Sequence, residues 1–483
     1  MVGVDIGTQS LKAVVTGDDL SILGEASCAY RPDYPQPGWA EQSPSLWEDA
    51  LAPTIAHALD AAGMAAGAVR ALGIAGQLDG CIATNAAGEA LAPCLIWMDR
   101  RATREAEVMD ADALRALTGV TRDASHMAAK IRWLMRHNPE MCGSVTTFHQ
   151  PVSYLVSRLT GEAVFDHSLA STSMLYALDA RDYSPALLQA FEIDRASLPA
   201  ISNADSPAGH LTAEGAALSG LPEGLCVAVG TGDDFSSALG AGIVDPGRLV
   251  CVLGTAEVVG ALMTEAHIDG AGLVETHSFP GGNFYMENPG WLSGGAVEWS
   301  RELFGLADAA TFDGRAAEVA PGAEGVSFLP ALSGAMAPEW VASARACFYG
   351  LTPAHGVPHM ARAVLEGCAF AMRDVAVRLD EMGAELQAIR LLGGGAASRL
   401  WAGIRADSSG LPVEVPLVTD TSPVGAAVCA AVAGGVQEDL AACAKLIGTV
   451  AKTIDPNPVH RAAYDDAYGA YRRLFNSLGP MFN

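Results

Sequence analysis

The chain predicts an α/β protein built from two related domains. Three observations carry that expectation. Residues 5–12 read Asp-Ile-Gly-Thr-Gln-Ser-Leu-Lys behind the apolar run Met1–Val4. The stretch Val250–Ala261 repeats the plan, with Gly254-Thr255 between two apolar strands. A strand–loop–helix–strand unit then follows near the C-terminus, the signature of a parallel sheet. The two Gly-Thr hairpins lie about half a chain apart, which suggests a duplicated fold closing on a nucleotide. Glycine tolerates φ > 0 and lets an anion approach the backbone. Successive N–H groups in such a turn make an anion-binding concavity. Asp5 adds a carboxylate where a phosphate-bound Mg²⁺ would sit.

At 483 residues the chain exceeds one ordinary core, so two domains are expected. Half the residues are apolar and only 6% are aromatic, which suits close-packed helices on parallel sheets. The net charge of −26 argues against nucleic-acid or membrane-surface partners. The ten cysteines are scattered with no C-x-x-C pair, so zinc and dithiol readings are poor and buried free thiols are expected. Single cysteines and the absence of a basic leader point to a reducing cytoplasm. The small-residue segment Val424–Val436 is below spanning length and reads as a buried helix.

In the N-terminal part, strands are expected at Val2–Ile6 and Leu11–Thr16. Ser43 should cap a helix with Pro44 first inside and Gly63 at its end. Trp47, Leu51, Ile55 and Leu59 give it one apolar face, and Pro53 should kink it or force a 3₁₀ turn. A strand at Ala71–Ala75 runs into Gly76-Gln77-Leu78-Asp79-Gly80. Helices are expected over Asp99–Leu117, His126–Arg136 and Val152–Leu159. In the C-terminal part, Pro358–Met382 reads as one long helix and Ala388–Leu392 as a strand ending in Gly393-Gly394-Gly395-Ala396. A helix through Leu400–Asp407 and a strand at Leu411–Val415 complete the unit. A glycine loop at such a strand end is where α/β sheets bind ligands.

Neither a P-loop nor a dinucleotide fingerprint occurs, because Phe235 and Ser398 stand where the latter needs glycine. In Val227–Phe235 a strand ends in a glycine turn that projects Asp233 and Asp234. The turn reads either as an ordinary surface loop or as the base that phosphoryl transfer to an alcohol requires.

These residues resemble the FGGY family of carbohydrate kinases, within the actin-like ATPase superfamily. The match includes Asp5-x-Gly7-Thr8-x-Ser10, Gly38–Gln42, Gly76-Gln77-x-x-Gly80, Ile96-Trp97-x-Asp99-x-Arg101, Gly230-x-Gly232-Asp233 and Gly254-Thr255. It continues through Trp291–Gly295, Phe328–Gly334, Leu365–Gly367, Gly393–Ala396 and Gly425–Ala427, in order from about residue 1 to residue 436. Within the family the chain looks most like the xylulokinases. The resemblance implies two ribonuclease-H-like domains, residues 1–243 for sugar and 244–483 for ATP, flanking a deep interdomain cleft. It implies ATP and Mg²⁺ as cofactors, a small sugar as substrate, and a homodimer.

By the same resemblance Asp233 is the catalytic base, and Asp5 and Asp233 attend the metal. Thr8, Gln9, Ser10, Gly254, Thr255, Gly394, Gly395 and Ala396 bind ATP. Gln77, Leu78, Asp79, Trp97 and Asp234 bind sugar. D-xylulose leads, with ribulose, L-xylulose or a polyol as alternatives and a non-kinase actin-like ATPase switch as the competing class. Three positions depart from the xylulokinase pattern. Leu78-Asp79 replaces Met-His, Asp234 replaces Asn, and Ala335-Met336 replaces Glu-Arg ahead of Pro338. For Lys12 a solvated second-strand lysine is the plainer reading, with phosphate contact as the alternative. His126, His149 and His167 read as structural or surface residues, Glu41 as a loop or hinge anchor, and Asp99 with Arg101 as a mutual pair.

Overall fold

The structure is a computed structural model that describes residues 1–482. Contacts divide the chain into two compact units that are not contiguous in sequence. The first holds Met1–Val244, Thr276–Phe284 and Thr421–Gly448, and the second holds the segments between and after them. Each contains a mixed sheet with helices.

The first unit is built on β1 (Val2–Ile6), β2 (Ser10–Thr16) and β3 (Ile22–Ala29), followed by α1 (Ser45–Ala62) and β4 (Ala71–Gly76). Next come α2 (Met127–His137), α3 (Pro151–Thr160), α4 (His167–Thr172), β5 (Pro207–His210), β6 (Cys226–Ala228), β7 (Thr231–Gly232) and α5 (Asp233–Gly240). The strands run in the order β5-β6-β4-β1-β2-β3, with β7 also pairing β4. β1 and β4 are buried along their whole length, as continuous runs of apolar and small residues in a central parallel pair should be.

The second unit comprises β8 (Arg248–Leu253), β9 (Ala256–Met263), β10 (Phe284–Leu292), α6 (Gly294–Leu303), α7 (Val357–Glu381), β11 (Ala388–Leu392), α8 (Arg399–Ser409) and β12 (Val413–Pro416). The small-residue helix α9 (Ser422–Ala433) returns to the first unit, and β13 (Val450–Ile454) and α10 (Arg461–Leu478) close the second. Here the order is β10-β9-β8-β11-β12-β13. Val364, Leu365, Cys368, Met372, Val375 and Leu379 of α7 are all buried, the face that helical periodicity requires.

Close backbone approach explains α9. A Cβ on Gly3 of β1 would stand 2.0 Å from the Pro423 carbonyl oxygen, and one on Gly73 of β4 would stand 1.9 Å from that of Ala426. Only glycine lets the helix lie this near the sheet.

Two local expectations need correction, the cap of α1 and the helix over Asp99–Leu117. Pro44, not Ser43, occupies the cap of α1, and the Ser43 hydroxyl meets that of Ser45 at 2.8 Å instead. α1 is one α-helix with Pro53 inside it and no 3₁₀ turn there. Pro53 has no N–H to offer the Asp49 carbonyl, so that helical hydrogen bond is lost. Of the helix expected over Asp99–Leu117, only Ala111–Thr118 forms. The Asp99 carboxylate instead accepts the backbone N–H of Ala40 and of Arg101, which holds its neighbourhood in turns. All ten cysteines are free. No helix of the described residues is long and apolar enough to cross a membrane.

Candidate active site

In the first unit, strand register assembles the acidic residues. β1 and β7 both run parallel to β4, with Asp5 and Thr231 opposite Ala75, and Ile6 and Gly232 opposite Gly76. Asp5, the Gln77–Asp79 turn and Asp233-Asp234 therefore leave one level of the sheet, at the C-terminal ends of three parallel strands. Glycines make this junction possible. A Cβ on Gly230 would lie 2.0 Å from the Ile74 carbonyl oxygen, and one on Gly232 would lie 1.9 Å from Leu78 Cδ2. Leu78 thus packs against the turn that carries Asp233.

Asp233 opens α5, where unpaired backbone N–H groups favour a negative charge. Burial and the adjacent Asp234 carboxylate nonetheless push the Asp233 carboxyl well above the ordinary range, and Lys12 opposes the shift. Burial, then Asp79 and Asp5, push Asp234 up as well. Lys12 lies directly across the hairpin from Asp5.

The Asp79 carboxylate has a setting that sequence reading missed. Asp79 takes a left-handed backbone with φ 59°, and its N–H donates to Gln150 Oε1 at 2.9 Å. His126 Nδ1 lies 3.1 Å from Asp79 Oδ2. The fully buried Lys130 ammonium donates to the Asp79 carbonyl at 2.6 Å and to the Ser125 carbonyl. Burial pushes Lys130 down to about 8, against the pull of Asp79. Helical spacing could have paired His126 with Lys130, but their partner lies some 50 residues away in sequence, where periodicity carries no signal.

Gln77 braces two turns. Its Nε2 donates to Gln42 Oε1 at 2.7 Å, and Gln42 Nε2 donates to the Thr8 carbonyl at 2.7 Å. The Thr8 hydroxyl accepts from Trp97 Nε1 at 3.0 Å, so Trp97 supports the first Gly-Thr hairpin as well as presenting a face to solvent. That hairpin closes through Gly7 N–H to the Ser10 carbonyl at 3.0 Å and leaves Gln9 exposed. Arg101 pairs with Asp99 and Glu41, each at 2.7 Å, and lies 3.6 Å above the Trp39 ring. The Asp99–Arg101 pair and the anchoring role read for Glu41 are thus present.

The second unit supplies open backbone. Gly254 and Thr255 are exposed, and Gly254 N–H donates to the Ala256 carbonyl at 2.9 Å. A Cβ on Gly294, at the start of α6, would come within 2.2 Å of the Gly254 carbonyl oxygen. Gly393 has φ 78°, a Cβ on Gly395 would press on Leu253 at 2.4 Å, and the space above Gly394 is open. Ala396 is buried beneath this loop, and Ser398 caps α8 at the Trp401 N–H. At the Ala335-Met336 departure, Asn288 Nδ2 donates to the Met336 carbonyl at 2.8 Å. Among the described residues no three metal-binding side chains gather into a cage.

Two family models account for most of the chain. The N-terminal domain of the FGGY family of carbohydrate kinases matches residues 1–240, and the C-terminal domain matches residues 249–434. The chain belongs to the FGGY family of carbohydrate kinases. It is 30% identical over 485 residues to a xylulose kinase of Escherichia coli (strain K12), covering 99% of both chains. It is 32% identical over 451 residues to a glycerol kinase of Aromatoleum aromaticum, covering 90% of both. The solved xylulose kinase of Rhodospirillum rubrum superposes with a TM-score of 0.90 at 30% identity, over 100% of this chain and 99% of that one. The two-unit mixed α/β architecture is that of FGGY kinases, and the coarse activity is phosphotransfer to a carbohydrate.

Proposed function

We propose that the protein transfers the terminal phosphoryl group of ATP to a hydroxyl of a neutral ketose, with D-xylulose the first substrate to test. The observation that carries this reading is Asp233 at the head of α5, at the same sheet level as Asp5 and the Gln77–Asp79 turn. A substrate hydroxyl needs an acceptor for its proton as it attacks, and an anion with raised basicity at a helix start suits that task. Asp233 takes the proton on its carboxylate. Asp79 and Asp234 offer acceptors to neighbouring hydroxyls of a polyhydroxyl ligand. Three carboxylates here disfavour an anionic acceptor such as an aldonate, because like charges repel strongly where water is scarce. The face of Trp97 suits the C–H surface of a sugar.

The donor set fits a Mg²⁺ nucleotide. Thr8, Gln9 and Ser10 in one turn, and Gly254, Thr255, Gly394, Gly395 and Ala396 in the second unit, offer backbone N–H groups and hydroxyls to phosphates and adenosine. With no protein cage among the described residues, Mg²⁺ would be held mainly by phosphate oxygens and water, with Asp5 and Asp233 in attendance. When bound, Mg²⁺-ATP supplies the phosphoryl group and neutralises its charge.

The test is ADP release from Mg²⁺-ATP across a panel of D-xylulose, ribulose, L-xylulose, glycerol and gluconate. ADP release that depends on a neutral pentulose and falls about 10³-fold in Asp233→Asn, with nucleotide binding kept, is the expected result. Release indifferent to any sugar would return the chain to an ATPase switch. Release driven by gluconate would overturn the charge argument.

A further inference from the structure

The turn that carries Asp233 is wedged from one side by glycines and held from the other by a single buried carboxylate. Asp166 is 1% exposed, and its Oδ2 accepts the Thr231 hydroxyl at 2.9 Å. The same oxygen accepts the Ser168 N–H at 3.1 Å, while Oδ1 accepts the Leu169 N–H at 2.9 Å. Asp166 therefore caps α4 and fixes Thr231 at once. Thr231 is fully buried and stands two residues before Asp233. The far side of α4 reaches the sugar turn. Gln150 Nε2 donates to the Leu169 carbonyl at 2.9 Å and to Thr172 Oγ1 at 3.2 Å, and Gln150 Oε1 accepts the Asp79 N–H.

This network is costly unless it serves placement. An isolated buried carboxylate is expensive, and here burial pushes Asp166 up to about 6 despite its hydrogen bonds. An apolar residue at 166 would avoid that cost but would leave the Thr231 hydroxyl and the Ser168 and Leu169 N–H groups without their acceptor. What the carboxylate adds is direction, since it accepts a hydroxyl at a defined place and so sets the path of residues 231–233.

We propose that Asp166 is a positioning residue for the catalytic base, acting through the Thr231 hydroxyl to fix the turn from which Asp233 projects. The proposal rests on the kinase reading above. Asp166 touches neither substrate nor nucleotide; it holds the backbone that must place Asp233 against the attacking hydroxyl. A misplacement of about 1 Å costs on the order of 100-fold in rate.

The test removes the hydroxyl without changing volume. Thr231→Val is expected to lower kcat for the best ketose by about 10- to 100-fold, with ketose and nucleotide KM within about threefold of the unaltered protein. Thr231→Ser, which keeps the donor, is expected to restore kcat to within about threefold. Asp166→Asn should lose a similar factor, and the double variant Asp166→Asn/Thr231→Val should be no worse than the more damaged single variant. Thermal unfolding identifies a fold effect and is expected to move little in Thr231→Val. Unchanged kcat in Thr231→Val, no rescue by Ser, or losses that multiply in the double variant would each overturn the positioning role. If the unaltered protein phosphorylates a ketose and Thr231→Val does so equally well, only this inference falls. If the unaltered protein phosphorylates none, the kinase reading falls and this inference with it.

Discussion

The two Gly-Thr hairpins follow one plan and carry different chemistry. In the first unit β1 pairs antiparallel with β2 and parallel with β4; in the second, β8 pairs antiparallel with β9 and parallel with β11. Position by position, Asp5 and Lys12 of the first hairpin become Val252 and Val258 in the second, and Ile6 and Leu11 become Leu253 and Glu257. The first hairpin places charge beside its turn. The second buries an apolar strand end under Gly395 and leaves the turn open to solvent. Its one charge in these places, Glu257, is fully buried and paired with Arg405 through both carboxylate oxygens. Repeating a backbone thus does not repeat its side chains: one copy sets Asp5 and Lys12 beside its turn, where the other has Val252 and Val258.

The largest expected break in this contrast is in the buried pair. Arg405→Met leaves the Glu257 charge buried alone and should destabilise the protein by about 3–5 kcal/mol. Adding Glu257→Leu should recover most of that loss, measured by denaturant unfolding. Failure of the second change to recover stability would mean Arg405 matters through packing alone. Next is Gly294→Ala, whose methyl meets the Gly254 carbonyl. The turn must move, and a cost of about 1–3 kcal/mol with a roughly tenfold higher nucleotide KM and an unmoved ketose KM is expected. The mirror change is Asp79→Asn, which turns an acceptor into a donor facing His126. A ketose KM about tenfold higher with nucleotide KM unmoved is expected. If both variants move both constants alike, the division of labour is wrong.

The smallest effect is on pH. Burial pushes the His149 imidazole down to about 3, so the folded protein binds fewer protons there than the unfolded chain. Its contribution is complete above pH 6.5 and is lost as pH falls below that toward 3, at up to about 1.4 kcal/mol per pH unit. Thermal melts of His149→Gln between pH 7 and pH 5 should show a shallower acid slope. An equal slope would assign the acid sensitivity to other groups.

Much of this architecture was legible in the chain because it is locally encoded. β1, β4, β8 and β11 are short apolar runs bounded by glycine, and the face of α7 repeats at helical spacing. The misread helix has a long-range cause. Asp99–Leu117 has helical composition, yet Asp99 spends its carboxylate on the backbone of Ala40 and Arg101, one of them 59 residues away.

The candidate site divides in the same way. The sequence by itself determined the strands, the glycine turns and the acidic residues that follow them, because turn conformation and burial pattern are properties of neighbours along the chain. Only the tertiary structure decided that Asp5, Asp79 and Asp233 leave one sheet level, that His126 and Lys130 serve Asp79, and that Asp166 reaches Thr231. Those meetings depend on strand register and helix packing, which bring together side chains tens to hundreds of residues apart. No local preference encodes them.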